Sequence, residues 1–296
     1  DLGNLIQIGN LSDDLPLLSE TDWVIEAVVE KLEVKQELLS QVNKYRKPGT
    51  IVSSNTSGIS INKMAAVLPL EFRQHFLGTH FFNPPRWMKL LEIIPSEDCL
   101  PELVEFMKEF AARRLGKGVV IAKDTPNFIA NRIGTYAYMQ VLKKMPEYGF
   151  AVNQIDRITG QVIGRPRSAT FRTLDMVGLD TFVYVANNAG QAVEDEKENA
   201  DFQIPAWLQK MVAKGQLGDK NGQGFYKRVK TEKGSSSLIW DPVAEEYVPP
   251  GQEALPGVEA AEKEKTLEAK LKSLLYGQEK DSIFAWEVCK KMLLYA

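Results

Sequence analysis

Asp22-Trp23-Val24-Ile25-Glu26-Ala27-Val28-Val29 is a β-rich apolar run, and the helix and second strand that come after it decide the fold. Its apolar residues run on without alternating, the mark of a strand buried on both faces, as in parallel sheets. From Leu32 to about Tyr45 the pattern turns helical, with Val34, Leu38, Leu39 and Val42 on one face. Lys47-Pro48-Gly49 stops that helix, and Thr50 to Ser53 reads as the next strand. Strand, helix and strand at this spacing predict a doubly wound α/β sheet. Ahead of it, residues 4 to 8 are expected as a short strand, and Leu15, Leu17 and Leu18 as a short helix after the Ser12-Asp13-Asp14 cap signal.

Ligands of such sheets sit beyond the carboxyl ends of the strands. Glu30 and Lys35 follow one strand end, and Asn55 and Ser57 follow the next, so these four are candidate ligand contacts. A solvated ion pair at a helix start accounts for Glu30 and Lys35 equally well.

The next strand signal, Phe76-Leu77-Gly78, opens into Thr79-His80-Phe81-Phe82-Asn83-Pro84, and Glu92 follows His80 by twelve residues inside Lys89-Leu90-Leu91-Glu92-Ile93-Ile94. Histidine's unperturbed pKa of about 6.5 lets it take and return a proton near neutrality, and a carboxylate beside it fixes its tautomer. Alone, a histidine among Phe and Leu is a satisfied core residue. Its company argues otherwise. Ile51-Val52-Ser53-Ser54-Asn55-Thr56-Ser57 is a strand ending in hydroxyls and an amide, and Asp124-Thr125-Pro126 reads as an N-cap with proline opening a helix that carries Asn131 one turn in.

The character changes near residue 124. From about 126 to 215 the pattern is helical, with helices expected over 126–145, 153–163, 170–176, 178–194 and 204–213. Gly218-Asp219-Lys220-Asn221-Gly222-Gln223-Gly224 has neither strand before it nor helix after it, so its glycines are weak evidence for phosphate binding and read equally as a turn. Residues 231–237 are expected as a hairpin tip or linker, and Leu238 to Val248 as a small β-hairpin. Val258 to Tyr276 and the stretch from Asp281 onward read as amphipathic helices.

Composition bounds the chemistry. With 296 residues, 33.2 kDa and 44% hydrophobic residues, the chain can bury the cores of about two domains. A net charge of -3 and a pI near 5.7 supply no attraction to nucleic acid or an anionic membrane. No run reaches the roughly eighteen apolar residues that span a bilayer. Cys99 and Cys289 offer neither a disulfide framework nor a metal-ligand spacing, so a cytoplasmic protein without a metal is expected.

In this order and spacing, the Ser-Asn-Thr-Ser strand end, His-Phe-Phe-Asn-Pro, Glu92 and Thr-Pro-x-Phe-Ile-x-Asn-Arg resemble the L-3-hydroxyacyl-CoA dehydrogenases, over residues 1 to about 227. The resemblance implies a partial Rossmann-type doubly wound sheet followed by a helical domain like the C-terminal domain of 6-phosphogluconate dehydrogenase. It divides the chain into an NAD-binding domain (1–123), a helical domain (124–227), and a hairpin, linker and start of a second helical region (228–296). It implies NAD as cofactor and acyl-CoA as substrate. By residue matching, His80 and Glu92 take the catalytic pair. Ser57 and Asn131 hold the substrate oxygens or orient the histidine, and Glu30, Lys35, Ser57, Asn83 and Lys220 contact the cofactor. Residues from 228 onward resemble the multifunctional bacterial members of fatty-acid β-oxidation, in which a second helical repeat and an enoyl-CoA hydratase region come next. The partner at the helical domain is then a second copy or that intramolecular repeat.

Three departures stand out. Asn127 occupies a position that is commonly glycine in the family. Pro166-Arg167-Ser168-Ala169-Thr170-Phe171 stands where many members read Pro-Met-Gly-Pro-Phe, which is expected to alter the shape of the acyl pocket. No Gly-x-Gly-x-x-Gly is present ahead of the first strand. That glycine loop and its helix start carry the cofactor's pyrophosphate, so residues 1–296 alone are expected to be weakly active or inactive. Two other readings stand beside the dehydrogenase. One is a scaffold or docking segment of a multifunctional complex, suggested by the helices after 258. The other is a β-hydroxy acid dehydrogenase acting without coenzyme A; such enzymes place a lysine where proton transfer is needed, whereas here the residues are Asn131 and His80.

Overall fold

The computed structural model describes residues 2–191, 193, 195–231 and 234–296. The chain divides into two compact units between Asn131 and Arg132.

The first unit runs β1 (Trp23–Glu26), α1 (Leu32–Tyr45), β2 (Ile51–Ser54), α2 (Ile61–Ala65), α3 (Leu70–Gln74), β3 (Phe76–Phe81), β4 (Leu90–Pro95), α4 (Pro101–Arg114) and β5 (Gly118–Ile121). The strands form one sheet in the order β1-β2-β3-β4-β5. β1, β2 and β3 are parallel, β4 turns back antiparallel to β3, and β5 is parallel to β4. Two apolar layers enclose it. Leu39, Val42, Ile61, Met64, Phe72 and Phe76 form one core, and Leu77, Leu91, Ile93, Leu103 and Met107 the other. Residues of β3 therefore bury in both directions, which explains why Phe76 to His80 carries no alternation.

The strand expected over residues 4–8 does not form. Leu2–Leu5 is a short 3-10 turn and Leu5, Ile6 and Ile8 are exposed. Among the described residues this run has no neighbouring strand, and unpaired strands do not persist. Leu15–Glu20 is a 3-10 helix, near where a short helix is expected.

The helix expected from Pro126 begins four residues later, as α5 (Ala130–Tyr148). Asn127 and Phe128 have φ of 61° and 50°, left-handed values that interrupt a right-handed helix. Asp124 does not cap this helix at all. Its carboxylate accepts from Ser60 Oγ and from the Ile61 and Asn62 N–H groups at 2.7 to 2.9 Å, serving the start of α2 instead.

The second unit continues α5 and adds α6 (Val152–Ile158), α7 (Phe171–Val177), α8 (Leu179–Gln191), α9 (Glu196–Asp201) and α10 (Ala206–Ala213). A three-stranded antiparallel sheet follows, of β6 (Tyr226–Thr231), β7 (Gly234–Asp241) and β8 (Glu246–Val248), and then α11 (Pro256–Glu262), α12 (Leu267–Leu275) and α13 (Lys280–Tyr295). Residues 192 and 194 of the helix expected over 178–194, and 232 and 233 of the expected hairpin tip, lie outside the described residues.

Residues 228–296 are not a separate region. Trp240, Leu255, Val258, Leu274, Phe284 and Val288 share one core with Met139, Phe150, Ile155, Phe171, Leu208 and Phe225. One apolar face of α11 to α13, read from sequence as available for docking, packs into this core through Val258, Leu274, Phe284 and Val288, while Leu267, Ile283, Trp286, Leu293 and Leu294 stay exposed. By its contacts the first compact unit extends to Asn131, because the 124–131 turn packs Phe128 into it.

The glycine loop is a structural turn. Gly218 has φ of 98°, and a Cβ there would stand 2.3 Å from the Asp175 carbonyl oxygen; one on Gly224 would stand 2.1 Å from Asp175 Oδ1. The loop wraps tightly around Asp175, whose carboxylate accepts the Phe225 and Tyr226 N–H groups at 2.7 and 2.9 Å. Only glycine allows that approach.

Candidate active site

The antiparallel pairing of β3 and β4 sets His80 directly opposite Glu92. Cross-strand partners lie close enough for side chains to meet on one face, and here His80 Nδ1 is 2.7 Å from Glu92 Oε2. Both residues are buried. Phe82 and Phe128 stand against the imidazole, with ring centroids at 4.4 and 5.7 Å.

The second oxygen of Glu92 is also occupied. Oε1 accepts the N–H groups of Ile129 and Ala130 at 3.1 and 2.7 Å. These are unpaired donors at the start of α5, where a negative charge is favoured. A carboxylate only accepts, so Nδ1 is the donor in the His80–Glu92 bond, and in the neutral imidazole the lone pair is then on Nε2. The position of the pair is thus set by two strands and one helix start.

A second polar cluster occupies the carboxyl ends of β1 and β2. Lys35 is 1% exposed, and its ammonium lies 2.8 and 3.0 Å from the two oxygens of Glu26 and 3.2 Å from Glu30 Oε2. Glu30 Oε1 accepts from Thr56 Oγ1 at 2.5 Å and from the Ser57 N–H at 3.0 Å. The carbonyl of Ser57 accepts from Asn131 Nδ2 at 3.4 Å. Asn55 Oδ1 accepts the Phe81 N–H at 3.0 Å, tying the end of β2 to that of β3.

The structure therefore links Lys35, Glu30, Ser57 and Asn131 by one ion pair and two hydrogen bonds, and His80 to Glu92 by another hydrogen bond. The two sets meet at Ala130 and Asn131, adjacent in sequence. Asn83 is exposed two residues beyond β3, and Ser57 is exposed too. Lys220 belongs to the second unit, is exposed, and pairs with Asp180 at the start of α8. Its ammonium holds the Asp180 carboxyl below the usual aspartate range.

Sequence reading missed Glu26, Ser54 and Thr56. All three are buried. The one available signal was an acidic residue inside an apolar strand run, which a buried partner must accompany.

The site is thus a buried histidine–carboxylate pair on a mixed α/β sheet, an arrangement suited to proton transfer, and a helical unit follows it in the chain. Comparisons with known proteins identify the family. The model of the 3-hydroxyacyl-CoA dehydrogenase NAD-binding domain matches residues 1–125, and that of the family's C-terminal domain matches residues 128–228. A probable 3-hydroxyacyl-CoA dehydrogenase of Bacillus subtilis (strain 168) is 50% identical over 289 residues, 97% of this chain and 36% of that protein. The mitochondrial hydroxyacyl-coenzyme A dehydrogenase of Sus scrofa is 37% identical over 75% of this chain and 69% of its own length. The crystal structure of (S)-3-hydroxybutyryl-CoA dehydrogenase from Ralstonia eutropha superposes with a TM-score of 0.64 at 31% identity, covering 71% of each chain. This chain belongs to the 3-hydroxyacyl-CoA dehydrogenase family. It spans about a third of the length of the Bacillus subtilis relative.

Proposed function

We propose that the polypeptide carrying this chain oxidises L-3-hydroxyacyl-CoA to 3-oxoacyl-CoA with NAD, a step of fatty-acid β-oxidation. The observation that carries this reading is the buried His80–Glu92 pair, with Nδ1 engaged at 2.7 Å.

Taking a hydride from a secondary alcohol builds positive character on carbon unless the hydroxyl proton leaves. His80 Nε2 takes that proton, and Glu92 stabilises the imidazolium that forms. Bound NAD supplies the hydride acceptor. The rim at the strand ends suits such a cofactor chemically. Glu30 is a partly exposed carboxylate able to accept from a sugar hydroxyl, and Ser57 and Asn83 present an exposed hydroxyl and amide. Lys35, sequestered by Glu26, serves by fixing Glu30. Lys220 is assigned to the cofactor by family matching alone. Ser57 and Asn131 bind the substrate oxygens or orient the imidazole.

The length of the Bacillus subtilis relative supports a multifunctional parent. Among the described residues no helix is long and apolar enough to cross a membrane, and both cysteines are free. A cytoplasmic location fits these properties.

The test is substrate discrimination by the complete polypeptide. NAD reduction is expected with L-3-hydroxybutyryl-CoA, and not with its D isomer or with free 3-hydroxybutyrate. Equal turnover of the free acid contradicts the reading.

A further inference from the structure

Glu26 ends β1 with its carboxylate buried, and two of its contacts, Lys35 and Ser54, lead to the loop that presents Ser57. Oε1 accepts the Val28 N–H at 2.6 Å and Oε2 accepts the Ser54 hydroxyl at 2.5 Å, while the Lys35 ammonium donates to both oxygens. The first branch runs through Lys35 to Glu30, and Glu30 holds the Ser57 N–H and the Thr56 hydroxyl. In the second, Ser54 Oγ accepts the Thr56 N–H at 3.2 Å, and Thr56 Oγ1 in turn accepts the N–H groups of Gly58 and Ile59 at 3.3 and 3.0 Å. Both branches converge on residues 56–59.

The charges explain why two carboxylates are present. Lys35 is too deeply buried to be left unpaired, and an isolated buried ammonium is costly. If Glu30 were its only partner, the ammonium would draw that carboxylate away from Ser57. Glu26 takes most of the ammonium's hydrogen bonding, at 2.8 and 3.0 Å against 3.2 Å to Glu30. Glu30 Oε1 is thereby left to the loop.

We infer that Glu26 is a positioning residue: by neutralising Lys35 and gripping Ser54, it frees Glu30 to hold the 56–59 loop where Ser57 faces the cofactor and substrate. The loop's link to cofactor and substrate rests on the function proposed above; the hydrogen-bond relay does not.

Glu26→Gln preserves size and removes the charge. The experiment is amide hydrogen exchange at Ser57, Gly58 and Ile59, together with NADH affinity, in the complete polypeptide. Ser96→Ala is the control. It removes a buried hydroxyl bonded to the Arg73 and Phe76 carbonyls elsewhere in the same unit. The expected result is at least tenfold faster exchange at the three amides and at least tenfold weaker NADH binding in Glu26→Gln, with neither in Ser96→Ala. Wild-type exchange at these amides in a folded Glu26→Gln protein overturns the inference. So does faster exchange with unchanged NADH affinity, which would make Glu26 purely structural. If Glu26→Gln does not fold, Ser54→Ala, which cuts only the second branch, carries the test at Gly58 and Ile59: exchange at these two amides is expected to quicken at least tenfold, and wild-type exchange there overturns the inference. Failure of the wild-type protein to bind NADH sinks the proposed function instead, and the exchange data then decide the relay alone.

Discussion

Glu92 holds His80 with one carboxylate oxygen and the first N–H groups of α5 with the other, so the imidazole and the helix start share a single anchor. The side chain must therefore supply two acceptors at once. Glu92→Gln supplies one. With its oxygen kept on Ile129 and Ala130, its amide N–H faces His80 Nδ1 and forces the tautomer that places the proton on Nε2. Hydride transfer is expected to fall about 10²- to 10⁴-fold, by the logic of a mis-set tautomer, with a stability loss of about 1–3 kcal/mol. Steady-state rates and urea unfolding of the variant check both numbers. A Glu92→Gln enzyme of wild-type rate refutes the assignment.

Asn127 is buried and stands at φ 61°. Asparagine tolerates the left-handed region better than other side chains with a Cβ, and β-branched residues tolerate it worst. Asn127→Val, which must force a β-branched side chain into this conformation, is expected to cost about 2 kcal/mol or more beyond Asn127→Gly, which adopts it freely. Thermal unfolding of the two variants checks the contrast; equal effects would mean that the backbone conformation is not what selects the residue.

Burial pushes the Asp175 carboxyl up to about 6, against the pull of the Phe225 and Tyr226 N–H groups in the other direction. A raised carboxyl pKa means that the folded protein binds more protons than the unfolded chain between about pH 4 and 6. The stability linked to this group is therefore complete below about pH 4 and is lost as pH rises through about 6, up to about 3 kcal/mol. Asp175→Asn removes the titration. Unfolding free energies measured from pH 4 to 7 are expected to show a flatter pH dependence in the variant, and an unchanged difference between the two proteins across that range contradicts the shift.

How much of this was legible in the sequence depended on the range of the interaction. The strand–helix–strand order from Trp23 to Ser54 was readable because apolar periodicity is local, and the five-stranded sheet contains those elements. His80 and Glu92 were readable as a candidate pair because each sits in an apolar strand run, and the turn between β3 and β4 places them in register. The features that stayed hidden were set at long range. Asp124 looked like a cap for the residues after it, yet it serves Ser60, sixty-four positions back. Glu26 looked like a strand end, and only the fold reveals Lys35 folded onto it. The helices after residue 256 carried an apolar stripe whose partner, the core around Phe150 and Ile155, lies about a hundred residues earlier.

The central claim is that His80 is the base that removes the hydroxyl proton. The most direct measurement is the single-turnover rate of NADH formation from L-3-hydroxybutyryl-CoA by wild-type and His80→Gln forms of the complete polypeptide, with NADH binding measured in both. The account predicts a fall of about 10³-fold or more in the rate with NADH affinity retained. A His80→Gln enzyme within a few-fold of the wild-type rate would contradict it.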